Sequence, residues 1–112
     1  MKKYDDTTRL GHIYDAIARI ESYVNKVDKS TFLSNTMMQD AVVRQLEIIG
    51  EAARNISDDL IEKHPELPWF EMRAIRNKIV HDYLEVNTEI IWDTVKNDLP
   101  SLKPLIAKLL GE

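Results

Sequence analysis

The chain has 112 residues, with 15 Lys and Arg against 19 Asp and Glu, a net charge of −4 and no cysteine. This length suits one domain over residues 1–112, burying roughly 60–70% of its unfolded surface around a single core. The acidic balance argues against a protein that coats RNA or DNA regardless of sequence, and the lack of cysteine excludes disulfides, thiolate metal sites and thiol catalysis.

No apolar run follows Lys2 and Lys3, so no signal peptide is expected. No apolar stretch approaches the ~20 residues of a membrane span, so a soluble cytoplasmic protein is expected. The four Pro sit near predicted helix ends, and no strand alternation persists. The chain therefore reads as all-α, an up-and-down bundle of four to five helices.

The first helix is predicted from Asp6 to Val27. Leu10, Ile13, Ile17, Ile20, Val24 and Val27 repeat at alternating steps of three and four, the seam of a bundle helix. The second starts at Thr36, where Thr36 and Gln39 match a capping box. Met38, Val42, Leu46, Ile49, Ala53 and Ile56 form its stripe, widened by Ala41, Ile48 and Ala52, so it should be central. Gly50 in mid-helix costs up to ~1 kcal/mol against Ala, which suggests a close helix approach. Ser57 can cap a short third helix through Lys63, ended by His64-Pro65.

Pro68 suits the first position of a fourth helix, predicted from Pro68 to Asp82. Asn87 or Thr88 caps a fifth through Ile90, Ile91, Trp92 and Val95, which Pro100 kinks or restarts. Leu102, Leu105, Ile106, Leu109 and Leu110 line the end, and Gly111 is its C-terminal cap.

The segment Arg76-Asn77-Lys78-Ile79-Val80-His81-Asp82-Tyr83 carries the chemistry. On one continuous helix with Arg76 at 0°, Trp69, Val80, Tyr83, Met72 and Ile79 fall within about 60° of it, placing a guanidinium in the core-facing stripe. Asn77 and His81 then share a second face with Phe70 and Ala74. Arg73, Arg76, Lys78 and His81 concentrate positive charge with no carboxylate among residues 73–81.

Two readings of this cluster stand side by side. In the structural one, Arg76 pairs with Glu47 or Glu51 of the second helix as a buried salt bridge, while Asn77 and His81 bridge helices. In the chemical one, Arg offers bidentate phosphate contact, His transfers protons near neutral pH, and Tyr adds a phenol. Together these suit RNA cleavage by the 2′-hydroxyl without a metal. One His cannot do both proton transfers at once, which favours a two-fold dimer. Glu47 and Glu51, four apart, lack a His or Asp at ligand spacing, so a polar face or a clamp on Arg76 is preferred over a metal site.

The Arg-x4-His-x-Tyr pattern, Arg76 to Tyr83, resembles the signature of HEPN-domain ribonucleases. Asp40-Ala41-Val42, Ile49-Gly50-Glu51-Ala52, Pro68-Trp69, Trp92 and Leu99-Pro100 narrow the resemblance to the HepT type (DUF86), across nearly the whole chain. The resemblance implies a homodimeric ribonuclease toxin of a prokaryotic toxin–antitoxin pair, cutting RNA without a metal or cofactor. It implies a partner, a nucleotidyltransferase antitoxin of the MntA type, which uses ATP and Mg to attach AMP to Tyr83. By the match, Arg76 steadies the phosphate, His81 transfers protons, Asn77 orients or binds, and Tyr83 is both site residue and modification target. Glu51, Lys78 and Arg73 stand as supporting residues. Asp82, where relatives often have a small residue, and Ala74, where they often have Gly, depart from the pattern. The alternative is a catalytically weak HEPN module that binds a nucleotidyltransferase or nucleotide as an accessory subunit.

Overall fold

The computed structural model describes residues 4–81 and 85–111, with backbone only at 80, 81, 85 and 86. Its elements are α1 (Asp6–Val24), α2 (Lys29–Leu33), α3 (Thr36–Arg54), α4 (Asp58–Lys63), α5 (Trp69–Arg73), α6 (Ile75–Ile79), β1 (Val80–His81), β2 (Glu85–Val86), α7 (Thr88–Asp93), a π turn (Thr94–Asp98) and α8 (Leu99–Leu110). The expected all-α bundle is present, interrupted by one two-residue antiparallel hairpin.

The heptad seam of α1 is buried at Leu10, Ile13, Ile17, Ile20 and Val24. The helix ends at Val24 rather than Val27, because Lys26 turns left-handed at φ 60° and Asp28 opens a new helix. The Asp28 carboxylate accepts from the Thr31 amide at 2.8 Å, and this bond and one from the Thr31 side chain hold its pKa below the usual carboxylate range. The helix it starts, α2, carries Phe32, which is fully buried. Asn35, not Thr36, caps α3, accepting from the Met38 amide at 3.0 Å. Gln39 reaches back instead of capping its own helix, donating to the Phe32 and Leu33 carbonyls at 2.9 and 3.1 Å. It thereby satisfies the Leu33 carbonyl, which the end of α2 would leave orphaned, and adds a second bond to the Phe32 carbonyl, which also accepts from the Asn35 amide.

Central α3 packs against α1, α2, α5, α6 and α7. It buries Val42, Leu46, Ile49, Ala53 and Ile56, as its stripe predicts. Gly50 makes the close approach: a Cβ there would lie 3.1 Å from Ile75 Cγ2 and 3.5 Å from the Met72 carbonyl. Ser57 caps α4 through the Leu60 amide at 3.2 Å and donates its hydroxyl to Asp6 at 2.5 Å. The N-terminus of α1 is thus tied to the corner after α3, where Arg9 also donates to the Asn55 carbonyl.

Asn87 caps α7 through the Ile90 amide at 3.1 Å. The disturbance expected at Pro100 appears just before it. The Leu99 amide reaches the Thr94 carbonyl, five residues back, and Pro100 follows in the first turn of α8, where its missing N–H costs least. Leu102, Ile106 and Leu109 of α8 are buried, and α8 packs on α1, with Lys103 on Glu21 at 2.6 Å.

Candidate active site on α6 and the following hairpin

The segment predicted as one helix from Pro68 to Asp82 is two short helices and a strand. Pro68 lies one residue outside, as the N-cap of α5, and Ala74 separates α5 from α6. The helix ends at Ile79, whose carbonyl accepts from the Asn87 amide at 2.9 Å. β-Branched Val80 then goes into the extended pair Val80↔Val86 and His81↔Glu85. His81 therefore leaves the helix, and it does not share a helical face with Asn77. Tyr83 and Asp82 lie outside the described residues.

This ending moves Arg76. The buried residues of α5 and α6 are Trp69, Met72, Ile75 and Ile79. Placed on one continuous helix they would centre about 45° from Arg76, on the Ile79 side, once Val80 and Tyr83 no longer count. Arg76 falls on the flank of the stripe, and its side chain is 56% exposed. Its Nε lies 3.8 Å from Glu47 Oε2, so the clamp is Glu47, on the surface and not in the core. Glu51 instead accepts from the Asn55 side-chain amide at 3.4 Å.

Such an exposed pair contributes at most about 1 kcal/mol, not the 3–5 of a buried one. Arg76→Ala should therefore leave the helical circular-dichroism signal intact and the melting temperature within a few degrees of wild type. Global unfolding would restore the purely structural reading.

The supporting residues separate by role. Arg73 donates to the Ala53 and Ile56 carbonyls at 3.0 and 3.2 Å, closing the C-terminal end of α3 where a cation is favoured. Lys78 pairs with Asp98 of the π turn at 3.1 Å. Asn77 is exposed. Arg76 opens on a cleft of about 430 Å³ lined also by Arg44, Glu47, Gly50, Glu51 and Arg54. Arg44 and Arg54 did not stand out in the sequence. The signal was there, in steps of three, four and three from Arg44 through Glu47 and Glu51 to Arg54, on the face opposite the apolar stripe.

An exposed guanidinium lining a cleft can hold a phosphate. A family model described as Ribonuclease HepT-like matches residues 13–109. The chain belongs to the HepT-like ribonuclease family. A relative from Thermococcus cleftensis, named as a probable ribonuclease HepT, is 45% identical over 100 residues, covering 89% of this chain and 91% of its own. A Methanocaldococcus jannaschii relative, provisionally named as an RNase, is 37% identical across 100% of this chain and 96% of its own. A third such relative, from Caldanaerobacter subterraneus, is 35% identical over 90% of each chain. No solved structure matches significantly. Among the described residues of this HepT-like chain, no helix is long and apolar enough to cross a membrane.

Proposed function

We propose that this HepT-like chain is an endoribonuclease, the toxin of a prokaryotic toxin–antitoxin pair, acting in the cytoplasm as a homodimer. The observation that carries the reading is Arg76, held at the surface of a cleft by Glu47 and followed after four residues by His81. In the reaction, a base takes the proton of the RNA 2′-hydroxyl and the 2′-oxygen attacks the adjacent phosphorus. The bond to the 5′-oxygen breaks, and an acid returns a proton to that oxygen. The products are a 2′,3′-cyclic phosphate and a 5′-hydroxyl. Arg76 stabilises the charge on the phosphorane, Asn77 orients the strand, and His81 from each protomer supplies one of the two proton transfers. No metal or cofactor of this chain enters the scheme.

Tyr83 completes the site and is its control point. A nucleotidyltransferase antitoxin, with its own ATP and Mg, attaches AMP to the Tyr83 hydroxyl. The adduct adds bulk and negative charge where the RNA phosphate must sit.

The test is cleavage of total RNA by purified protein in excess EDTA, with analysis of the ends. Cyclic phosphate ends are expected. No cleavage by protein whose intact mass shows Tyr83 unmodified would sink the toxin reading and leave the accessory module that binds a nucleotidyltransferase.

A further inference from the structure

The polar stripe of α3 extends beyond the carboxylate that holds Arg76. Arg44, Glu47, Glu51 and Arg54 share a face about 80° wide and span about 15 Å along the helix. All four line the cleft with Arg76. Their charges are committed unequally. Glu47 faces Arg76, and Glu51 accepts from Asn55. Arg54 uses its Nε on the Arg73 carbonyl at 3.3 Å, and its terminal nitrogens have no partner among the described residues. Arg44 is exposed and, among the described residues, has neither a hydrogen bond nor an ion pair. A guanidinium fork thus stands uncommitted at each end of the cleft, with Arg76 between. The two carboxylates repel a phosphate from the middle except where Arg76 offsets Glu47.

We propose that Arg44 and Arg54 bind the phosphates on either side of the one Arg76 serves, making the exposed face of α3 the track for a single RNA strand. The proposal rests on the ribonuclease reading for its ligand. Guanidinium forks match phosphate oxygens two at a time. Contacts to phosphate position a strand without reading its bases, so this track is indifferent to sequence. The cleft carries three guanidinium groups against two carboxylates, a local excess of one positive charge in a chain of net charge −4.

The experiment is equilibrium binding of a 2′-O-methyl RNA oligonucleotide, which lacks the attacking hydroxyl, across a salt series. Wild type is compared with Arg44→Gln, Arg54→Gln, Arg44→Lys and, on the exposed surface of α4, Lys63→Gln. Each Arg→Gln change should weaken binding several-fold at low salt and flatten the plot of log affinity against log salt by about 0.7, the value for one lost single-strand contact. Arg44→Lys should keep the slope, and Lys63→Gln should match wild type. On cleavable RNA the Gln variants should lose rate through a raised KM. Slopes of Arg44→Gln and Arg54→Gln equal to wild type would overturn the track, even if the protein cuts RNA. Binding with the expected slopes by a wild type that cuts nothing would instead overturn the ribonuclease reading and leave the track standing. Melting curves confirm that each variant is folded.

Discussion

His81→Ala should lower RNA cleavage by about 10²- to 10⁴-fold, the range for removing a positioned general acid or base. The protein should stay folded. His81 sits in a two-residue strand after α6, and its pairing with Glu85 is through the backbone, which alanine preserves. In a homodimer the variant removes both proton-transfer groups of a shared cleft, so the loss should lie toward the upper end of that range. Mixed dimers with one wild-type protomer test this directly. If two histidines divide the two transfers, one intact His81 cannot restore full rate. Binding of the 2′-O-methyl oligonucleotide should survive, because the proposed phosphate contacts come from arginines. Undiminished cleavage by His81→Ala would remove His81 from the chemistry.

Phe32→Ala should cost about 3–5 kcal/mol, as for other fully buried aromatics. Phe32 is the one buried residue of α2, at 0% exposure, and its ring centroid lies 5.2 Å from that of Trp92. Removing it opens a void between α2 and α7, and α2 is too short to persist without that anchor. At several degrees per kcal/mol for a chain this size, the melting temperature should fall by roughly 10–20 °C. Trp92 fluorescence should change with it. Phe32→Leu should recover most of the loss. A drop of only a degree or two in Phe32→Ala would mean that α2 contributes little to the core.

Long elements were legible because their pattern repeats. α1 and α3 each run 19 residues, long enough for alternating three- and four-residue steps to show a face. α2 was missed because five residues with one buried side chain carry no period. Its only local sign was Asp28 ahead of Thr31. At α3 two capping chemistries competed, and Asn35 won while Gln39 served the preceding helix. The motif segment misled because Ile79 and Val80 continue a helical apolar pattern. What ends α6 is a tertiary bond, Asn87 to the Ile79 carbonyl, which no local window contains. The exposed orientation of Arg76 was therefore not legible. The family resemblance agrees with the family match over residues 13–109. Arg44 and Arg54 escaped because exposed arginines on a helix are common, and only the cleft sets these two apart.

The Arg73 bonds to α3 bear on the entropy of association. Arg73 grips the Ala53 and Ile56 carbonyls, and Arg54 returns a bond to the Arg73 carbonyl. Gly50 lets α3 seat against Met72 and Ile75 with no side chain between. The helix with the arginine stripe and the segment with Arg76 therefore belong to one rigid body. For the RNA strand proposed above, the two walls of the cleft would be aligned before it arrives. Only the strand and a few exposed side chains would then lose freedom on binding, and preorganisation of this kind raises affinity without any added contact.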